Sequence, residues 1–298
     1  MAVSINGARF LAHTVAGGVT LGKTTVVGRQ GLFASPRLLR ELFVRHRLPV
    51  PPVAEPFFGE DRAPWADPLL AALGAQPLEF LDFSDYEGAT RIHDLNRPVG
   101  ADWEETADTL LDAGSLEHVF DVKTAIENYL RIVRVGGVVL LLDMPAVNFC
   151  GHGFYQFSPE FFCEVFSARH GFALESLALA SEWSYAPFYS VQRPRDAGGR
   201  VEIPSLEACH LFVCARKVGP FHGFTRTVSQ SDYEVAWGKA IAPAAVPPPD
   251  RGLAGALRRA WRTVDPKGYW RFSTRRDRRR AHRTNAISRG RHLRPLDI

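Results

Sequence analysis

The sequence predicts an α/β fold, with one mostly parallel sheet covered by helices on both faces. Two observations predict it. Apolar, β-branched runs of strand length alternate along the chain with amphipathic helical runs, and they are continuous, as strands buried on both faces are. The helical runs also carry boundary signals, Ser-Pro at two starts and Gly at the stops.

After Gly22 the run KTTVVG reads as a buried strand. SPRLLRELFVRHRL follows as a helix with Ser35 as N-cap and Pro36 at its first turn, and Leu38, Leu39, Leu42 and Phe43 share one face. Residues 49–77 are rich in proline and read as an insertion holding a short helix near WADPLLAALG, closed by Gly74. Strands are then expected at PLEFLDFS, TRIHDL and ADTLLDAG. DVKTAIENYLRIVRVGG reads as a helix from Asp121 to a Gly136 C-cap, with Ala125, Ile126, Tyr129, Leu130 and Val133 as its stripe. GVVLLLDMP is the next strand, and SPEFFCEVFSARHG is a helix from Ser158 to Gly171. ALESLALAS and EACHLFVCARKV supply two final strands.

Composition narrows the class. A chain of 298 residues that is 46% hydrophobic and 23% charged can bury a full core, which excludes disorder throughout. The longest apolar stretch, VGGVVLLLDMP, is too short to cross a bilayer, and the start lacks a signal-peptide pattern, so a cytoplasmic protein is expected. Cys150, Cys163, Cys209 and Cys214 form no CxxC pair, and the strand-like run holding Cys209, His210 and Cys214 would scatter them to both faces. No metal ligands are expected.

Charge divides the chain. Residues 251–298 hold fourteen Arg and one Lys against three Asp, a net of +12, which leaves −8 for residues 1–250. The proline-rich segment 242–250 reads as a linker between a domain over 1–241 and a basic tail over 251–298. The tail is a candidate for an anionic partner, RNA or a lipid surface, or else a solvated extension.

Gly17–Thr24, GGVTLGKT, matches the phosphate-loop pattern GxxxxGK[ST], which needs a helix to begin at Lys23-Thr24. The residues that follow, Thr25, Val26 and Val27, favour a strand instead.

The stretch ADTLLDAGSLEHVFDVKTAIENYLRIVRVGGVVLLLDMP resembles class I S-adenosylmethionine-dependent methyltransferases, in which a fourth strand ends in Asp and a helix leads through GG to the fifth strand. FLDFSD and RIHDLN resemble the second and third strands, and the likeness covers residues 20–218. GHGFYQFSPEFF is similar to a bacterial group within that superfamily. The resemblance implies a Rossmann-like sheet of seven strands with the last antiparallel, S-adenosyl-L-methionine as cofactor, and methyl transfer to a hydroxyl or amine of a small molecule, a sugar, nucleoside or secondary metabolite. The first loop departs from the family's GxGxG, because VVGRQG places Arg29 and Gln30 where small residues are usual.

On that resemblance Asp82 accepts the ribose hydroxyls beside Phe83, with Asp85 able to exchange roles, and Asp94 and Leu95 face adenine. Gly28, Arg29 and Gln30 of the first loop, with Asp112, Gly114 and Ser115 after the fourth strand, complete the cofactor set. The loop after the fifth strand faces the acceptor. There His152 offers a base, Tyr155 a hydroxyl and Gln156 an amide, Glu117 joins them as an acceptor contact, and His118 is the other candidate base. Phe154 and Phe157 are expected to point inward. Two other functions remain open: a non-catalytic binding module on a cofactor fold with an anion-binding tail, and a nucleotide hydrolase or kinase using Gly17–Thr24.

Overall fold

The computed structural model describes residues 2–49, 65–203, 205–224, 228–231, 233, 234, 237 and 292–298. The linker expected at 242–250 and the basic tail as far as residue 291 lie outside them.

The chain opens with β1 (Ala2–Val3) and α1 (Ile5–Ala16), then β2 (Gly22–Val27), β3 (Gly31–Leu32), α2 (Pro36–Arg45), α3 (Asp67–Ala72) and β4 (Ala75–Asp82). The short β5 (Arg91–Ile92) precedes β6 (Ala107–Asp112), α4 (Val122–Ile132), β7 (Val133–Val147) and α5 (Pro159–Val165). Then come β8 (Phe172–Ser181), β9 (Phe188–Val191), α6 (Pro194–Ala197), β10 (Cys209–Lys217) and β11 (Leu293–Leu296).

Among the described residues nine strands form the main sheet, in the order β11-β9-β8-β10-β7-β6-β2-β4-β5. The block from β5 to β7 is parallel, and β10 is antiparallel to both β7 and β8. The expected Rossmann-like sheet of seven strands with one reversed is therefore present, and β9 and β11 extend it. The described apolar core divides into two layers. One contains Phe10, Leu11, Leu39, Phe43 and Leu70 from α1 to α3. The other contains Ile126, Tyr129, Leu130, Phe162 and Val165 from α4 and α5. Cys214 belongs to the first layer and Cys209 to the second, so β10 sends them to opposite faces.

Several boundaries differ from expectation. The α4 helix ends at Ile132, and β7 begins at Val133, so Gly136 (φ 90°) lies within the strand rather than capping the helix. Buried Lys217 explains the early stop: its ammonium donates to the carbonyls of Leu130 and Val133 at 3.0 and 2.8 Å, satisfying the helix end with a cation. The expected strand TRIHDL shrinks to two residues, because Asp94 accepts from the amide and side chain of Asn96 and turns the chain. The described part of the 49–77 segment is integral, since α3 leads into β4 and Ala75 pairs with Gly22.

Helix α1 has no counterpart among the expected elements. Ser4 caps it by accepting from the Gly7 amide. Ser4 also donates its own amide and hydroxyl to Asp143 at 3.0 and 2.6 Å, which fixes the positive end of the helix on a carboxylate of β7. Gly7 is required there, because a Cβ would meet Asp143 Oδ2 at 2.5 Å.

The extreme C-terminus corrects the picture of a separable tail over 251–298. β11 pairs antiparallel with β9, Leu296 opposite Phe188, and Ile298 is buried. Arg9 also donates to the Ile298 carbonyl.

Candidate functional site

Strand register gathers the expected residues at one edge. Val27 pairs with Leu81 on one side and Asp112 on the other, Asp82 pairs with Ile92, and Asp112 pairs with Leu141. The next residues of each strand therefore emerge together at the carboxyl end of the parallel block, where α/β sheets bind ligands.

Gly17–Thr24 lies elsewhere, between the end of α1 and the start of β2 at the opposite edge. No helix begins at Lys23. That residue pairs with Glu79 at 3.0 Å, and Thr24 is wholly buried. The nucleotide-hydrolase alternative fails on this geometry, because the nearby helix end is a C-terminus and presents carbonyls.

The first loop turns at Gly28 (φ 64°), whose amide donates to Leu81. Arg29 spans from β2 to the end of β4. It pairs with Asp67 at 2.6 Å, donates to the Glu87 carbonyl, and lies over the rings of Trp65 and Phe80. Gln30 is buried between the ends of β2 and β6. Its amide nitrogen donates to the Val27 carbonyl at 2.6 Å and lies 3.5 Å from Ser115 Oγ, while its Oε1 is buried without a partner. Gly31 then joins Leu32 in β3, which pairs with β1.

At β4, Asp82 is half-buried and accepts from the Phe83 amide at 2.6 Å; Phe83 itself is exposed. Asp94 accepts through Oδ1 from the Asn96 amide and side chain, which hold its pKa below the ordinary carboxylate value, and its Oδ2 lies 3.7 Å from Arg97. Leu95 packs against the α4 layer.

Asp112 is fully buried and accepts from the amides of Ser115 and Leu116 and from the Tyr129 hydroxyl, at 2.8 to 3.0 Å. Burial nonetheless holds its pKa above the ordinary value. Its carboxylate is spent on the turn that carries Gly114 (φ 93°) and on anchoring α4.

The loops expected to face an acceptor are organised around Glu117, which is 1% exposed. Burial, and then the charge of Asp112, push its pKa up to about 8. Its Oε1 lies 3.4 Å from His152 Nε2 and 4.0 Å from His118 Nε2, and its Oε2 is buried without a partner. The two imidazoles meet edge to face at 4.9 Å, and burial lowers the pKa of His118. The loop after β7 is laid onto this point by its backbone. The Phe154 amide donates to the Glu117 carbonyl at 2.7 Å, and Gly153 (φ 65°) leaves no room for a Cβ, which would approach that oxygen to 2.8 Å.

The other loop residues have local tasks. The Tyr155 hydroxyl donates to the Phe120 carbonyl at 2.7 Å, so it is not presented to a ligand as expected. Gln156 accepts from the Phe149 amide and approaches Cys150. Phe157 is buried as expected, but Phe154 is 63% exposed and meets exposed Phe120 edge to face, because the Glu117 contact holds its backbone outward. Sequence reasoning treats His118 and His152 as rival bases; the structure makes them neighbours on one carboxylate. The missed residue is Asp143, an acid within β7, held in a left-handed conformation (φ 54°) with its pKa raised to about 6 by burial.

No protein-family model matches the chain, and no curated protein matches it. Solved structures are similar to it at low identity. A candidate methyltransferase from Bacillus halodurans is 10% identical with a TM-score of 0.41, over 71% of this chain and 99% of its own. The N-methyltransferase NodS from Bradyrhizobium japonicum is 11% identical with a TM-score of 0.38, over 72% and 96%. The 1,6-didemethyltoxoflavin N1-methyltransferase of Burkholderia thailandensis, solved with S-adenosylhomocysteine, is 14% identical with a TM-score of 0.37, over 72% and 78%. Among the described residues no helix is long and apolar enough to cross a membrane.

Proposed function

We propose that the chain transfers a methyl group from S-adenosyl-L-methionine to a hydroxyl or amine of a small molecule, bound at the carboxyl edge of the parallel block. The observation that carries the reading is the pairing order β5-β4-β2-β6-β7-β10-β8 with β10 reversed, the sheet that the sequence resemblance implies, with candidate ligand groups at its strand ends. Gln30 fits the cofactor as well. Its buried, unpartnered Oε1 is an acceptor on the first loop, for which a methionine ammonium would supply a donor.

Asp82 would hold the ribose, with Asp94 and Leu95 toward adenine and Gly114 and Ser115 along the methionine chain. The bound cofactor supplies an already activated methyl group. What this chain adds is alignment and exclusion of water. The acceptor would rest against His152, His118 and the exposed rings of Phe120 and Phe154, a surface suited to a flat, partly apolar molecule such as a nucleoside or secondary metabolite.

One observation favours a second reading, a binding module without catalysis. Arg29, tied to Asp67 and Glu87, stands across the gap between the β2 and β4 ends. Titration with S-adenosylhomocysteine separates the two. Methyl transfer requires saturable binding that Asp82→Ala weakens by about 1.5 to 3 kcal/mol, the scale of losing hydrogen bonds to a charged group. Absence of binding, or unchanged affinity in the variant, overturns the assignment.

A further inference from the structure

We propose that Glu117, His118 and His152 form a binding site for one first-row divalent transition-metal ion of the zinc class. The donor atoms of the three residues all lie within 4.8 Å of one another. Two neutral imidazoles and a carboxylate are the nitrogen and oxygen set that such ions take, and three protein ligands leave a further position open.

An independent observation sets this cluster apart from a surface pair. Glu117 Oε2 is buried with no hydrogen-bond partner, and among the described residues no Lys or Arg pairs with this carboxylate. A buried acid oxygen without a partner is costly, and a cation bound to the carboxylate completes the group. A direct histidine–glutamate hydrogen bond does not do so, because 3.4 Å is long for one and the second oxygen is untouched.

Both halves of the site are positioned by backbone. Glu117 and His118 ride on a turn whose Ser115 and Leu116 amides Asp112 holds. His152 stands on the loop that Gly153 and the Phe154 amide press onto the Glu117 carbonyl. Metal–nitrogen bonds of about 2.0–2.1 Å put tetrahedral ligands about 3.3 Å apart. The His152 separation already matches, and the 4.0 Å His118 separation closes by rotation of an imidazole whose side chain is 45% exposed.

Binding of the ion does not rest on the methyl-transfer reading. Its use does: on that reading the open position faces the acceptor side, where the ion would orient and polarise an acceptor oxygen.

The test is titration of the untagged full-length protein with cobalt(II) chloride, followed by visible absorption, and with zinc chloride by calorimetry. The site requires one ion per chain and d–d bands that saturate with it. Glu117→Gln and His152→Ala should each weaken binding at least tenfold while thermal melting without metal stays cooperative. Should a variant fail to fold, His118→Ala, altered at a half-exposed ring, provides the same comparison. No saturable binding, affinity indifferent to all three substitutions, or an intense thiolate-to-cobalt band that Cys150→Ser abolishes would each overturn the proposal. Titrating the same preparations with S-adenosylhomocysteine keeps the questions apart, since loss of that binding with cobalt binding intact strikes only the methyl-transfer reading.

Discussion

Asp112 and Glu117 occupy one connection, between β6 and α4, and both are buried carboxylates whose pKa burial raises. Asp112 meets the amide and side chain of Ser115, the Leu116 amide and a phenol, and each of these contacts serves the fold. Glu117 meets two half-exposed imidazoles on one oxygen and nothing on the other. Burial alone therefore does not distinguish a structural acid from a functional one. The set of partners does, since a group whose needs are met inside the chain has none left for a ligand.

The largest expected effect comes from breaking the satisfied member. Asp112→Ala leaves the Ser115 and Leu116 amides and the Tyr129 hydroxyl unmet and should cost about 3–5 kcal/mol in urea unfolding. Glu117→Gln keeps the shape and every backbone contact of its turn, so it should change stability by less than about 1 kcal/mol. Equal losses in the two variants would erase the distinction.

Asp143 sharpens the comparison through pH. Its pKa is raised from 3.8 to about 6 by burial, against the pull of the two Ser4 hydrogen bonds. A carboxyl with a raised folded value favours folding fully below its unfolded value, and that contribution is lost as pH rises through the folded one. Stability should therefore fall by about 3 kcal/mol between about pH 4 and pH 6, since each tenfold change in proton affinity corresponds to about 1.4 kcal/mol. Asp143→Asn should flatten that window in a series of urea titrations, and a slope unchanged from wild type would assign it to another group.

Gln30 gives the smallest effect on the fold. The Val27 carbonyl it serves also accepts from Ser115 at 3.0 Å, so Gln30→Leu should alter stability by less than about 1 kcal/mol. It should weaken S-adenosylhomocysteine about tenfold, because the orphaned Oε1 is then gone. Stronger binding in the variant would mark Gln30 as an obstruction.

What the sequence revealed follows local rules. The parallel strands were legible because burial on both faces makes them continuously apolar, and α2 and α5 because Ser35-Pro36 and Ser158-Pro159 announce their starts. Convergence of Gly28, Asp82 and Gly114 at one edge followed from topology. The rest depends on distant partners. α1 carries Gly7 and buried Asn6 because Asp143 and the carbonyls of Ser181 and Trp183 receive them. α4 stops where Lys217 arrives, and β11 is recognisable only beside β9. The meeting of His152 with Glu117 joins separate loops, and no spacing within either segment encodes it.

The measurement that most directly tests a cofactor site at this edge is amide hydrogen exchange with and without S-adenosylhomocysteine. Methyl transfer at the carboxyl edge requires added protection at residues 28–31, 82–84 and 112–116, with the amino edge at 17–24 unchanged. Protection absent from all three segments, or confined to residues outside them, would contradict it.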